Sequence, residues 1–352
     1  MIQKIMHTPS TTKALDAAPV EMATKAQATV AAVAHAVETP ARVVVSHGRH
    51  HGWGIAAGLA AGALWGLVFV APRMAPGFSP VDVATGRFVA FGAAALLFLL
   101  WRWMRGAPRP TRKQWLAATG MSVLGFSGYY ASLALAIAWA GTAVPALVVG
   151  TIPIVVMLLG KPADMLWRHL ALGLLATASG IALMAWQTLA NASALQAVGF
   201  ERVFWQGSAM ALLSMASWTV FALWNARWLK LNAHVSAFDW TSWIGLPTAL
   251  GALLLWAVVG TPLEALSQAP RLGWSLVIFA FTGIGSAWVA GWLWNIASQR
   301  LSASLCGQLI VSETLFALVF GFVWDGGWPK LLECLAGLLF VTGIVASIRA
   351  HR

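Results

Sequence analysis

Charge is what this sequence has least of. Only 9% of its 352 residues are Asp, Glu, Lys or Arg, too few to cover a soluble globule of that length. Water is thereby excluded as the solvent for most of the chain. Cysteine is almost absent, and two residues build neither a disulfide framework nor a thiolate metal centre. Cys306 and Cys334 fall in different apolar runs on opposite sides of a bilayer, which argues against a bridge between them and makes them expected packing residues. None of the eight histidines lies deep in an apolar run, so a metal cluster or histidine proton relay at depth has no basis. The chain also lacks a phosphate-binding loop, a carboxylate pair within one run, and a nucleophile with a base at a recognisable spacing. ATP-driven pumping and enzyme chemistry are left without support, and neither cofactor nor metal is expected.

What the sequence has in abundance is apolar surface, at 59% of residues. A helix crossing roughly 30 Å of hydrocarbon needs about 20 mostly apolar residues. Ten runs approach that length. The first five are Trp53 to Pro72, Pro80 to Trp103, Gln114 to Ala138, Ala143 to Gly160 and Arg168 to Gln187. The second five are Phe204 to Leu229, Ala237 to Val258, Leu272 to Asn295, Ala303 to Val323 and Lys330 to Ile348. The runs are continuously apolar rather than alternating, which predicts helices and not barrel strands. The fold class expected is all-α integral membrane, with ten transmembrane helices as two inverted five-helix repeats, residues 52–188 and 204–349.

A net charge of +11 raises the question of nucleic acid, and the placement of the basic residues answers it in favour of a lipid bilayer. With the N-terminus inside, 17 of the 22 Lys and Arg fall on inner segments. Only Arg73, Arg202, Arg271 and Lys330 fall on outer ones, and Arg87 lies within a span. Both termini are expected to be cytoplasmic, in a multi-pass inner-membrane protein. Residues 1–51 lack the unbroken apolar stretch of a cleavable signal. They read as a flexible cytoplasmic tail with a weak Ala-rich helix over Thr24 to Val37, or else as the product of a start placed too early.

The two halves agree in detail. Ser79 and Asp82 open the second run as Ser236 and Asp239 open the seventh, both in capping-box spacing. Trp65 matches Trp218, and Gly160 matches Gly321. An odd number of helices per unit places the second copy upside down in the bilayer, the arrangement that underlies many alternating-access carriers.

These residues also carry a family pattern. Gly62-Ala-Leu-Trp-Gly66, followed by Pro80 and Arg87, resembles the opening of an EamA domain. Ala216-Ser-Trp218 resembles the start of a second such domain, and Ser312-Glu-Thr-Leu-Phe-Ala317 with Gly321 resembles its ninth-helix signature. The likeness runs from about Trp53 to Ile348 and implies the drug/metabolite transporter superfamily, whose members are ten-helix permeases and often exporters of amino acids and related metabolites. The chain departs from the family by carrying Lys161 and Gly327 where a Glu usually follows the fourth and ninth spans, and Thr314 where a Pro usually follows the Glu.

Charges at bilayer depth cost several kcal/mol and need a partner or a purpose. Glu313, near the middle of the ninth run, is the one carboxylate placed that deep. Two readings stay open for it: a pathway group that pairs with a substrate ammonium or exchanges a proton, and a protonated carboxyl holding helices together. Arg87, roughly 10 Å into the second run, either snorkels to the outer surface or meets an anion or Glu313. Pro145 and Pro153 are expected to interrupt the fourth helix beside the pathway, or simply to kink it. Polar and aromatic groups within spans are Tyr129, Tyr130, Asn225, Trp292, Trp294, Asn295, Gln308 and Ser312. Among the tryptophans, Trp65, Trp218 and Trp292 are the pocket candidates. Trp101, Trp103, Trp115, Trp167, Trp205 and Trp328 sit near run ends and read as interface anchors. The leading expectation is a secondary carrier of a small metabolite working by alternating access, with Glu313 and the fourth and ninth spans at the central site and proton coupling left open. The alternatives are a membrane-embedded enzyme acting on a lipid-linked substrate and a non-transporting scaffold.

Overall fold

The computed structural model describes residues 49–191 and 202–351, with side chains over 51–187 and 203–351. The expectations for the tail, including the helix over Thr24 to Val37, lie outside the described residues. Among the described residues the regular structure is entirely helical. We number the long helices α1 (Arg49–Gly66), α2 (Pro80–Met104), α3 (Arg112–Ala140), α4 (Ala143–Leu159) and α5 (Trp167–Asn191) in the first half. The second half holds α6 (Arg202–Leu231), α7 (Ala237–Val259), α8 (Leu272–Arg300), α9 (Ala303–Asp325) and α10 (Leu331–Ala350).

Nine of these are long and apolar enough to cross a membrane, and α4 is the shorter one. Its shortness has a local cause. Thr151 divides it into Ala143–Gly150 and Ile152–Leu159, where Pro153 supplies no amide to continue the ladder. The Thr151 hydroxyl donates to the Val148 carbonyl at 2.6 Å and closes the first piece. Pro145 does not interrupt the helix as expected. It lies in the first turn of the first piece, where amides have no intrahelical partner anyway.

Helix starts follow the chemistry of their caps. The Asp82 amide donates to the Ser79 hydroxyl at 3.2 Å and the Ser79 amide returns a bond to the Asp82 carboxylate at 2.9 Å, a complete capping box. Ser236 takes the Asp239 amide at 3.0 Å, but Asp239 turns its carboxylate to the Ser236 hydroxyl and to Arg102. Both aspartates thereby fasten α2 to α7. Asp82 accepts from Trp256 Nε1 and from the Thr261 amide and hydroxyl at the end of α7, and Asp239 pairs with Arg102 at the end of α2, 3.0 Å away.

Small residues set the remaining contacts. Gly54, Gly58, Gly62 and Gly66 repeat every fourth residue along α1 and turn one glycine face toward the end of α8 and along α9. α9 also packs on α4, α6 packs on α3 and α4, α2 pairs with α7, and α5 pairs with α10. Gly141, with φ of 74° and ψ near 180°, takes a conformation open essentially to glycine alone and reverses α3 into α4 within two residues.

Packing is uneven along the central helices. The buried positions of α9 run from Ser304 to Ser312 and stop there. Those of α4 are Ile152, Pro153, Val156 and Met157 in its second piece, against Pro145 alone in its first. The Ser304 amide donates to the Gly160 carbonyl at 3.1 Å, so the two well-packed pieces close on each other at one face of the bundle. The other ends of the same helices stay loosely packed, and at the surface the end of α9 is tied to the α1–α2 connection by Arg73 and Asp325, 2.8 Å apart. Trp101, Trp167, Trp205 and Trp328 are exposed, as anchors require, while Trp103 and Trp115 pack partly against the cluster around Trp240. Both cysteines are free; Cys306 is buried, but Cys334 is exposed and does not pack the interior.

Candidate functional site

Glu313 lies about 15 Å along α9, at the point where burial along that helix ends. The turn before it is fixed from two sides. Ser312 is 1% exposed and donates to the Leu309 carbonyl at 2.7 Å, and Gly62 of α1 approaches so closely that an added Cβ would meet the Ser312 hydroxyl and the Glu313 amide. Glu313 as a whole is half-buried. Among the described residues it forms neither a hydrogen bond nor an ion pair.

Arg87, on α2, is a cation within electrostatic range of Glu313. It does not snorkel outward. The residue is 7% exposed, Nη2 donates to the Tyr130 hydroxyl at 2.8 Å, and the guanidinium lies over the Phe88 and Tyr130 rings at 4.7 and 5.4 Å. Among the described residues its Nε has no partner. Tyr129 stands edge-on to Tyr130 at 5.3 Å and is also within electrostatic range of Glu313. The two tyrosines follow a π-helical turn, Val123–Ser127, that widens α3 just before them. A second π-helical turn, Thr282–Val289, interrupts α8.

The apolar wall is made of tryptophan. Trp65 of α1 and Trp218 of α6 both contact Trp294 of α8, at 5.3 and 6.2 Å between ring centres. Trp294 is 2% exposed and, among the described residues, its indole N–H has no partner. Trp292, the expected wall residue, instead packs on Phe238 at 5.0 Å. Positions two apart on a helix point to opposite sides, so only one of the pair faces the centre.

The other candidates are engaged between helices. Asn295 accepts from Asn225 Nδ2 and donates to the Thr241 hydroxyl, both at 2.7 Å, and Asn225 accepts from Trp240 Nε1 at 2.8 Å. Gln308, fully buried, donates to Thr177 at 2.8 Å and accepts from Ser347 at 3.1 Å, tying α9 to α5 and α10. Pro153 is buried at the break of α4, and Pro145 is buried one turn into that helix. Thr151, for which the sequence carried no signal, sets its hydroxyl oxygen 3.3 Å from Met215 Sδ of α6 at the break. The structure thus gathers Glu313, Arg87, Tyr129, Tyr130, Trp65 and Trp218 around the loosely packed half of the bundle, adds Trp294, and assigns Asn295, Gln308 and Ser312 to helix contacts.

Comparison with known proteins agrees with the helical body. The sequence model of the EamA-like transporter family matches residues 52–186. The chain is 30% identical over 309 residues to the inner membrane protein YtfF of Escherichia coli (strain K12), covering 84% of this chain and 95% of that protein. A solved crystal structure of a protein 20% identical in sequence superimposes with a TM-score of 0.65, covering 84% of this chain and 97% of that one. At that identity the likeness concerns the fold alone.

Proposed function

Because the chain belongs to the EamA-like transporter family, and so is a membrane transporter, we propose that it is a secondary carrier that exports a small zwitterionic metabolite, such as an amino acid or a related compound, by alternating access. The observation that carries this reading is the unpaired Glu313 carboxylate at mid-depth, with the partly unsatisfied Arg87 within electrostatic range. A buried charge without a counter-ion is costly. A substrate ammonium on Glu313 and a substrate carboxylate on Arg87 relieve both charges at once, while Trp65, Trp218, Tyr129 and Tyr130 offer aromatic faces to the rest of the molecule.

Two inverted units, residues 52–188 and 204–349, are supported by the packing. The main helix pairs exchange when each helix is replaced by the one five later: α3 on α6 becomes α8 on α1, and α4 on α6 becomes α9 on α1, whereas α8 on α6 and α8 on α7 have no counterpart of like extent. The π-helical turns of α3 and α8 obey the same exchange. With both termini cytoplasmic, as the bias of basic residues favours, the closed end at Gly160 and Ser304 faces the cytoplasm and the loosely packed end faces outward. Proton exchange at Glu313 then couples flux to a gradient.

Flux of a labelled amino-acid panel into and out of proteoliposomes, with and without an imposed pH difference, tests this. Saturable transport is expected, and Glu313→Gln should flatten its dependence on pH. Unchanged transport by that variant across about pH 5 to 8 would return Glu313 to a structural role, and no flux across the panel would remove the substrate class.

A further inference from the structure

A second site lies outside the central bundle. The amino-terminal part of α3 and the carboxy-terminal part of α6 leave a groove of about 370 Å³ between them. Its α3 side runs from Leu116 to Leu124 with Gly120 at the centre, and its α6 side presents Trp224, Arg227 and Trp228. Leu116 and Trp224 are exposed, so the groove opens on the outer surface of the bundle, where the surroundings are lipid. Gly120 has no atom within 4 Å of the place a Cβ would occupy, so the groove at its centre is empty space rather than a helix contact. One wall is rigid, because Trp228 stacks on the fully buried Trp240 at 3.5 Å and 12°.

The charges at this groove are all of one sign. Among the described residues Arg227 is its one charged lining residue, and no acidic partner is bonded to it. Arg112 and Lys113, exposed at the start of α3, lie one turn before Leu116 and so at the same end. The nearby aspartate of α7, Asp239, is already held by Arg102. From Leu116 to Leu124 the groove extends about 12 Å along the helix axis, most of the ~15 Å depth of one leaflet. An apolar channel of that depth, cationic at its interfacial end, is complementary to an acyl chain joined to an anionic head. It does not suit a soluble metabolite, because apart from Arg227 and the two tryptophans its lining is aliphatic or glycine.

We propose that this groove binds one anionic glycerophospholipid, with an acyl chain laid over Gly120 between α3 and α6 and its phosphate held by Arg227 together with Arg112 and Lys113. The site is separate from Glu313 and does not depend on the carrier reading.

Native mass spectrometry of the full-length protein, released from detergent with palmitoyl-oleoyl phosphatidylglycerol or palmitoyl-oleoyl phosphatidylcholine, tests it. The wild type should retain one phosphatidylglycerol in clear preference to phosphatidylcholine. Arg227→Gln should weaken phosphatidylglycerol retention about fivefold, the effect of one interfacial cation, and leave phosphatidylcholine as it was. Gly120→Leu, whose side chain enters open space and fills the groove, should lower retention of both lipids. Equal retention of the two lipids by the wild type, unchanged phosphatidylglycerol binding in both variants, or a dimer that covers this face while phosphatidylglycerol is present in excess would each overturn the proposal.

Discussion

Replacing Gly66 with alanine should push α1 and α9 apart. A Cβ at that position would stand 2.8 Å from Phe316 Cβ, 2.9 Å from the Ala317 amide nitrogen and 3.0 Å from the Phe316 carbonyl carbon. Two of these atoms are backbone, so no change of rotamer relieves the contact, and carbon atoms prefer about 3.5–4.0 Å. The helices must therefore separate by roughly 0.5–1 Å. Gly66 has φ −55° and ψ −30°, an ordinary helical geometry, so alanine brings no backbone strain and gains about 1 kcal/mol of helix propensity. Overpacking costs ~1–3 kcal/mol, which leaves a net destabilisation of about 1 kcal/mol. Gly321→Ala is the matched control. It lies within α9 with no atom within 4 Å of its Cβ position, so it takes the propensity gain without the clash and should be stabilised by ~0.5–1 kcal/mol. Thermal unfolding in detergent, followed with a thiol-reactive fluorogenic dye, reads both variants: Cys334 is exposed from the start and Cys306 becomes accessible on unfolding. A midpoint for Gly66→Ala at or above that of Gly321→Ala would refute the close approach of α1 to α9 and the glycine face that permits it.

Two further substitutions probe the polar fastenings. Asp82→Ala removes the acceptor of four donors, from Ser79, Trp256 and both polar groups of Thr261, and should lower stability by about 2–3 kcal/mol in the same assay; a loss under half of that would show that water replaces the carboxylate at the membrane surface. Asn225→Ala strands the Trp240 indole N–H and one amide bond of Asn295, for an expected cost of about 1–2 kcal/mol with substrate affinity unchanged. A variant that kept its stability but changed its substrate KM would place this network on the transport path instead.

Much of the fold was legible because the decisive signals are local. Apolar run length locates the helices, and Ser79 with Asp82 announces the start of α2 in a pattern that needs only four residues. Glu313 stood out by the same kind of reasoning, since one carboxylate in a long apolar run needs no partner to be noticed. What the sequence concealed depends on rotation about a helix axis or on a partner far along the chain. Trp292 and Trp294 are chemically alike, and only the packing of α8 on α1 and α6 decides that Trp294 turns inward. Asn295 and Gln308 look like pathway amides until Asn225, Thr241, Thr177 and Ser347 arrive from other helices to saturate them. The π-helical turns left no mark beyond the pairs Gly125 and Gly128 in α3 and Gly283 and Gly285 in α8, and glycine is too common in membrane helices to single them out. Arg87 was ambiguous because a snorkelling arginine and an inward one share the same depth; Tyr130 decides between them by offering an acceptor on the inner side.

On the carrier reading, the match of Gly160 with Gly321 has a mechanical consequence. The same offset sets Thr151, Ile152 and Pro153 of α4 against Ser312, Glu313 and Thr314 of α9. One helix is broken at this level and uncharged, whereas the other is continuous and carries the carboxylate. The exchange also maps the closing contact, Gly160 carbonyl to Ser304 amide, onto Gly321 and Ala143 at the opposite face. Those two residues belong to the loosely packed halves, and Gly321 has nothing against it. An alternate state that closes this face by the symmetric contact needs a residue without a side chain at position 321, just as the present closed face needs one at position 160, where a Cβ would stand 2.8 Å from both Ala303 Cβ and the Ser304 amide nitrogen. The same Gly321→Ala change that stabilises the present structure therefore obstructs its counterpart. On that reading the glycine is idle in the present conformation because its contact belongs to the other.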